Sequence, residues 1–278
     1  MDHSIGLHRQ GRLTLAYHTY GEGSRTILAF HGFGQRARVF EPLLGPLQDT
    51  RFIAFDLFFH GDSDSENSSI DPLQCLTVEE WRSFLIDFIK EQNVSKVSLM
   101  GYSMGARLVL SAAQEIPSEY IDEVMLLAPD GFMENQWHRF ATRNSLGRMA
   151  FKKLPAYRGV LNRLGRILVR TPFLDEKLLK VALENTRSEE RCTQLYNTWT
   201  FLRCIRPEVE RIGRELELRS IPIIVHLGRF DKLIDAAKVL EWSYLNRNPQ
   251  HALVHEVGHD LLKSRLADSI MKADPSLQ

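Results

Sequence analysis

The chain is short of cysteine, carries no surplus of charge and contains no long apolar run, and each shortage removes a class of protein. Three cysteines among 278 residues, Cys75, Cys192 and Cys204, form none of the close pairs that bind zinc or run redox chemistry. Their odd number and wide spacing predict free thiols and a reducing compartment. Lys+Arg and Asp+Glu are equal at 35 each, so no global field points to nucleic acid. No apolar stretch approaches the ~18 residues of a membrane span. The opening Met1-Asp2-His3-Ser4 is not the basic start and apolar core of a secretory signal. There is no internal repeat and no low-complexity tract. The expectation is a cytoplasmic protein with no transmembrane segment.

What is present is ample apolar material, 44% of residues, in short runs that alternate between two periodicities. Residues 12–19, 26–31, 52–56, 96–101, 123–128, 221–227 and 251–257 read as strands. Val78, Trp81, Phe84, Leu85, Phe88 and Ile89 recur at helical spacing within 78–91. Further helices are expected at 104–115 and 234–246. Strands alternating with helices predict an α/β fold with a mostly parallel, doubly wound sheet. Between 131 and 214 the pattern changes to short amphipathic helices without convincing strands. That interval holds about 17 Lys/Arg against about 8 Asp/Glu. It predicts a helical lid, residues 131–214, inserted into a core made of 1–130 and 215–278. Arg158, Arg163, Arg166 and Arg170 alternate with apolar residues there. This basic amphipathic stretch suits a solvated outer face, or contact with an anionic substrate or lipid headgroup.

Gly101-Tyr102-Ser103-Met104-Gly105 lies between the strand ending near 101 and the helix from 104. A serine on a sharp strand-to-helix turn has its hydroxyl lifted clear of the backbone, and the flanking glycines avoid collisions that a Cβ would cause. A serine hydroxyl needs an adjacent base, and that base needs an orienting carboxylate. Asp231, in Gly228-Arg229-Phe230-Asp231, and His259, in Gly258-His259-Asp260, follow the last two strands. In an open parallel sheet such loops face one crevice. Asp130, after the strand ending near 128, is the rival for the acid. His255-Glu256-Val257-Gly258-His259 also spells a zinc-protease signature, but it lies on a strand and lacks a third ligand, so no metal is expected. His31-Gly32-Phe33-Gly34 follows the strand 26–31. The backbone N–H of Phe33, with that of Met104, is the expected oxyanion hole. His31 and His60 are expected to hold loop geometry.

These residues together resemble an α/β-hydrolase of the lid-bearing esterase and C–C hydrolase type. The resemblance rests on His31-Gly32-Phe33-Gly34, Asp56 with His60-Gly61-x-Ser63, the Ser103 motif, Gly228-x-x-Asp231 and Gly258-His259. It covers the chain outside 131–214. It departs at Leu57-Phe58-Phe59, where the family usually has Pro-Gly before its His-Gly. It implies a serine hydrolase of an ester, thioester or activated C–C bond, with Ser103, His259 and Asp231 catalytic, no cofactor, and a small carbonyl substrate. The nucleophile region is similar, more narrowly, to the menaquinone-pathway SHCHC synthase family. There the same triad performs an elimination, and an arginine at the position of Arg107 contacts a substrate carboxylate. Arg107 and Tyr102 are therefore candidate substrate contacts, and an anionic substrate is one option. Arg107 paired with a surface carboxylate is the other. A lyase and a non-enzymatic ligand receptor remain as alternatives.

Overall fold

The structure, a computed structural model, describes residues 3–45, 49–133, 136–153, 156 and 188–272. An eight-stranded sheet is built from β1 (His3–Gln10), β2 (Leu13–Tyr20), β3 (Arg25–Phe30), β4 (Thr50–Phe55), β5 (Val97–Tyr102), β6 (Ile121–Leu127), β7 (Ile223–Gly228) and β8 (Ala252–His255). Their order is β1-β2-β4-β3-β5-β6-β7-β8. β2 runs antiparallel to both β1 and β4. All other neighbours are parallel. Residues of β5 and β7 are buried throughout, which is why these segments read as continuous apolar runs rather than alternating ones.

The described helices are α1 (Ser63–Glu66), α2 (Val78–Glu91), α3 (Met104–Glu115), α4 (Gln136–Arg143), α5 (Ser145–Lys152), α6 (Glu189–Phe201), α7 (Val209–Leu218), α8 (Ala236–Leu240), α9 (Ser243–Arg247) and α10 (Ser264–Lys272). α2 starts at a capping box: Thr77 accepts from the N–H of Glu80, and Glu80 accepts from that of Thr77. Its apolar face, Trp81, Phe84, Leu85, Phe88 and Ile89, is wholly buried. Trp81 donates its indole N–H to Leu108 O at 3.0 Å, which fixes α2 to α3. Beneath them Phe30 stacks on Phe55 at 5.1 Å, and Phe55 meets the edge of Phe88 at 4.8 Å.

Two elements differ from the sequence expectation. β1 was not foreseen, because its mixed polar pattern suits an edge strand with Ile5 and Leu7 left exposed. The helix expected over 234–246 is two helices, α8 and α9, broken at Trp242. That residue takes extended backbone (φ −58°, ψ 127°), and its indole N–H reaches Val209 O at 3.0 Å. Burying the ring there outweighs helix continuity.

The chain divides into two compact units, one from 1–70, 76–133 and 205–278, the other from 71–75 and 134–204. The first contains the whole sheet and also α7, so residues 205–214 of the expected insertion lie with the sheet. In the second, Asn144 caps α5 by accepting from Leu146 N and Gly147 N. Phe151 packs against Tyr196 and Trp199 at 5.5 and 5.8 Å. The basic stretch Arg158–Arg170 lies outside the described residues.

The cysteines require a correction. Cys75 and Cys204 form a disulfide across 129 residues, with Cα atoms 6.1 Å apart, and Cys192 is buried outside it. Both bonded residues belong to the second unit, which the linear spacing conceals. The argument for three free thiols fails, and the expected cytoplasmic location loses its support from cysteine usage. No helix among the described residues is long and apolar enough to cross a membrane. Thiol titration of the unfolded, unreduced chain is expected to count one thiol, rising to three after reduction. Three thiols before reduction would show that the bond is absent.

Two fully buried histidines contribute to acid sensitivity. Burial pushes His31 down to about 4. Burial, with neighbouring His255, pushes His226 down to about 3. Above the ordinary histidine value of 6.5 both folded and unfolded chains are neutral at these rings. Below it the unfolded chain takes up protons that the folded chain refuses. Stability is therefore expected to fall as pH drops from about 6.5 towards 4, by at most about 1.4 kcal/mol per pH unit per ring. Denaturant midpoints measured over that range check the slope, which should decrease in His226→Gln.

Candidate active site

Ser103 sits between β5 and α3 with φ 51° and ψ −117°, left-handed backbone that a non-glycine residue rarely adopts. The turn is held on three sides. Ser103 N donates to Leu127 O at 2.9 Å, and Ser103 O accepts from Ala106 N at 3.0 Å and Asp130 N at 3.1 Å. The chain can turn this tightly because Gly105 lies on β3. A Cβ there would stand 1.9 Å from Phe30 O.

His259, on the loop after β8, points Nε2 at Ser103 Oγ, 3.0 Å away. Its Nδ1 lies 2.7 Å from Asp231 Oδ2. Asp231 follows β7, and its side chain is 1% exposed. Its other oxygen accepts from Leu233 N at 2.7 Å and Ile234 N at 3.0 Å. Burial alone would raise the Asp231 carboxyl. The hydrogen bond and charge of His259, with these two N–H donors, more than reverse that and hold it below its ordinary value. Nδ1 therefore donates to a carboxylate, leaving Nε2 as the acceptor that faces the serine hydroxyl.

The structure brings Ser103, His259 and Asp231 together and keeps Asp130 apart. Asp130 accepts from Arg107 Nη2 at 2.6 Å and from Gly131 N at 2.7 Å. Arg107, one turn into α3, is thus bound to the rival carboxylate. Tyr102 donates its hydroxyl to His259 O at 3.1 Å, and its ring lies 5.3 Å from the imidazole. Burial, then the nearby Asp260 and Asp231, push the Tyr102 phenol far up, so it stays neutral. His255 belongs to β8 and places Nε2 3.0 Å from His226 Nδ1, with the rings stacked. It therefore lies on a strand and His259 on a loop, which is not the single helical face that the zinc-protease signature needs.

The loop 31–34 runs directly beside the serine. A Cβ at Gly32 would be 3.2 Å from Ser103 Cβ. Phe33 is its next residue, and Met104 opens α3, where the first N–H groups have no intrahelical acceptor. Two histidines brace this loop. His31 Nε2 accepts from Leu57 N at 3.0 Å, so Nδ1 donates to Gly32 O at 2.7 Å. His60 Nε2 accepts from Gly34 N at 2.9 Å, and its Nδ1 donates to Phe58 O at 2.8 Å. At the departure Leu57-Phe58-Phe59, Phe59 takes a φ of 63°, so a buried phenylalanine adopts a turn that glycine would enter more easily. Gln35 was missed in the sequence. Its Oε1 accepts from Gly32 N at 3.0 Å. The only signal was its place just after the glycine-rich loop.

The chain matches the sequence family described as serine aminopeptidase, S33, over residues 21–264. It is 26% identical over 221 residues to the uncharacterized hydrolase YugF of Bacillus subtilis (strain 168), covering 78% of this chain and 77% of that one. A thermophilic esterase from Thermogutta terrifontis has a similar structure, with TM-score 0.63 and 18% identity over 93% of this chain and 92% of the esterase. The thioesterase domain from the curacin biosynthetic pathway is similar at TM-score 0.60 and 17% identity, over 98% of this chain and all of that domain. These two likenesses carry the fold alone. The strand order, the parallel core and the match over most of the chain agree: this enzyme belongs to the serine aminopeptidase S33 family of α/β-hydrolases.

Proposed function

We propose that the protein is a serine-dependent hydrolase of an ester, thioester or activated C–C bond, acting through Ser103, His259 and Asp231. The carrying observation is the unbroken relay from Ser103 Oγ to His259 Nε2 at 3.0 Å and from Nδ1 to Asp231 at 2.7 Å. Ser103 Oγ attacks the substrate carbonyl carbon while His259 Nε2 takes its proton. Asp231 holds the tautomer and stabilises the imidazolium. The N–H groups of Phe33 and Met104 receive the oxyanion, and loss of one such donor typically costs about 10²–10³ in rate. His259 then protonates the leaving group. Water, activated by the same ring, cleaves the acyl-serine and regenerates the hydroxyl. No metal or organic cofactor takes part in these steps.

Among carbonyl substrates, acyl esters and thioesters come first, in line with the names of the similar esterase and thioesterase domain. A fluorophosphonate probe is expected to label Ser103, and Ser103→Ala to lose labelling and turnover. Asp231→Asn should lower kcat by roughly 10⁴ through the wrong imidazole tautomer, whereas Asp130→Asn should keep most activity. Normal turnover by Ser103→Ala on an ester and thioester panel would overturn the reading. Turnover that releases an eliminated acid without an acyl-enzyme would favour the lyase.

Arg107 bears on that choice. Its guanidinium is held by Asp130 at 2.6 Å, which supports a positioning role at the start of α3 rather than a substrate contact. Its Nε has no partner, and this favours a second reading in which an anionic group enters beside it. The expected outcome for Arg107→Ala is an equal fall in kcat/KM for a carboxylate-bearing ester and its neutral isostere. A loss of roughly ten- to hundredfold confined to the anionic ester would instead install Arg107 as a substrate contact.

A further inference from the structure

The geometry points to a zinc-type divalent metal site formed by His18, Asp56 and Asp62, residues that the hydrolytic relay does not use. His18 lies on β2 in register with Ala54 of β4, which puts it beside Asp56 at the end of that strand. The ring is 3% exposed, and its Nε2 makes no hydrogen bond. That nitrogen faces Asp62 Oδ2 at 3.4 Å and Asp56 Oδ2 at 3.6 Å. The three ligand atoms all lie within 4.8 Å of one another. Such separations are long for hydrogen bonds. The two histidine–carboxylate separations match the edges of a tetrahedron about zinc, where bonds of about 2.0–2.2 Å give edges of roughly 3.3–3.6 Å.

The surroundings favour a cation over an empty cluster. His18 Nδ1 lies 3.0 Å from His3 Nε2. When Nδ1 donates there, the Nε2 lone pair is directed at two carboxylates, and a divalent ion between them removes the repulsion. A ligand histidine whose second ring nitrogen donates a hydrogen bond is the usual arrangement at such sites. Asp56 is fixed by Ala37 N on Oδ1 at 2.6 Å and by Asp62 N on Oδ2 at 2.7 Å, leaving Oδ2 a further lone pair. Gly61, with φ 52°, permits that approach, because a Cβ there would stand 2.0 Å from Asp56 Oδ2. One imidazole with two carboxylates balances a divalent charge and suits zinc rather than calcium or magnesium. Asp62 is 51% exposed, which gives the ion an entry path and leaves room for a water as fourth ligand.

A bound ion would tie β2 to the loop 56–62. That loop carries His60, the acceptor of Gly34 N beside the reaction centre. None of the three ligands belongs to the hydrolytic relay, so metal-free protein is expected to keep its activity.

The test uses tag-free, chelator-stripped chain in the His259→Ala background, so that the reaction-centre imidazole does not compete for metal. Zinc is titrated against a chromophoric chelator, and cobalt(II) is added separately as a spectroscopic probe. One equivalent of zinc is expected, with the visible absorption of a tetrahedral cobalt ion. Melting temperature should rise by about 5–10 °C at a hundredfold excess over Kd. Asp62→Asn, a change at an exposed residue, should weaken binding roughly tenfold or more, abolish the cobalt band and leave metal-free activity in the His259 parent unchanged. The absence of saturable binding up to about millimolar zinc would overturn the proposal. Affinity unaffected by both Asp62→Asn and His18→Gln would overturn it equally.

Discussion

The start of α3 is pressed against the end of β3, and the candidate active site is arranged around that contact. Gly105 comes so close to Phe30 O that no side chain fits. The chain must therefore reverse within the residues just before it, and Ser103 is the one driven to positive φ. Left-handed backbone at a non-glycine residue costs of order 1–3 kcal/mol and persists only where its surroundings over-determine it. Hydrogen bonds to Leu127, Ala106 and Asp130 do so here. Because they fix the backbone on both sides of the serine, its hydroxyl has a defined direction before any substrate arrives. His259 needs only to be delivered to that direction by a loop.

The loops that flank the serine are stiffened by neutral histidines rather than by charge. His31 and His60 each use one ring nitrogen as acceptor for a backbone N–H and the other as donor to a backbone carbonyl. Each ring thus satisfies two backbone groups that a glycine-rich loop cannot satisfy by itself. A protonated ring would lose its acceptor nitrogen, which is why burial of His31 in the uncharged form and the shape of the loop are a single fact. The Leu57-Phe58-Phe59 segment shows the same economy of means. Its carbonyl at Phe58 receives His60, its N–H at Leu57 binds His31, and the three side chains are buried. Replacing the usual Pro-Gly has kept the turn while adding apolar anchorage beneath it.

The gathering of the candidate site was legible because each of its residues follows a strand of the parallel core. Ser103, Asp231 and His259 are separated by long stretches of chain, yet each follows an apolar run and precedes a turn, so topology alone gathers them. Helices α2 and α3 appear over the residues expected, since their apolar faces are complete and their starts are marked by Thr77 and by the serine turn. What could not be read depends on pairings between distant segments. The edge strand β1 gains its identity only by register with β2. The Cys75–Cys204 bond joins residues with nothing between them to signal proximity. His18 stands beside Asp56 because β2 pairs with β4, not because of any spacing in the chain. Trp242 breaks a helix for the sake of a contact with α7 that local propensity does not contain.

The two candidate acids show how such pairings divide work between chemically identical residues. Asp130 and Asp231 follow the adjacent parallel strands β6 and β7, and sequence pattern separates them only weakly. The structure separates them by the cation each meets. Arg107, one helical turn after the serine, takes Asp130, and that pair also steadies the loop whose N–H binds Ser103 O. Asp231 is left as the carboxylate in contact with the imidazole, buried and further fixed by two N–H donors. A guanidinium cannot lose its proton and hand it on, whereas an imidazole can. The same carboxylate chemistry therefore meets a permanent cation at Arg107 and an imidazole at His259. Exchanging the partners, rather than the acids, is what would exchange their roles.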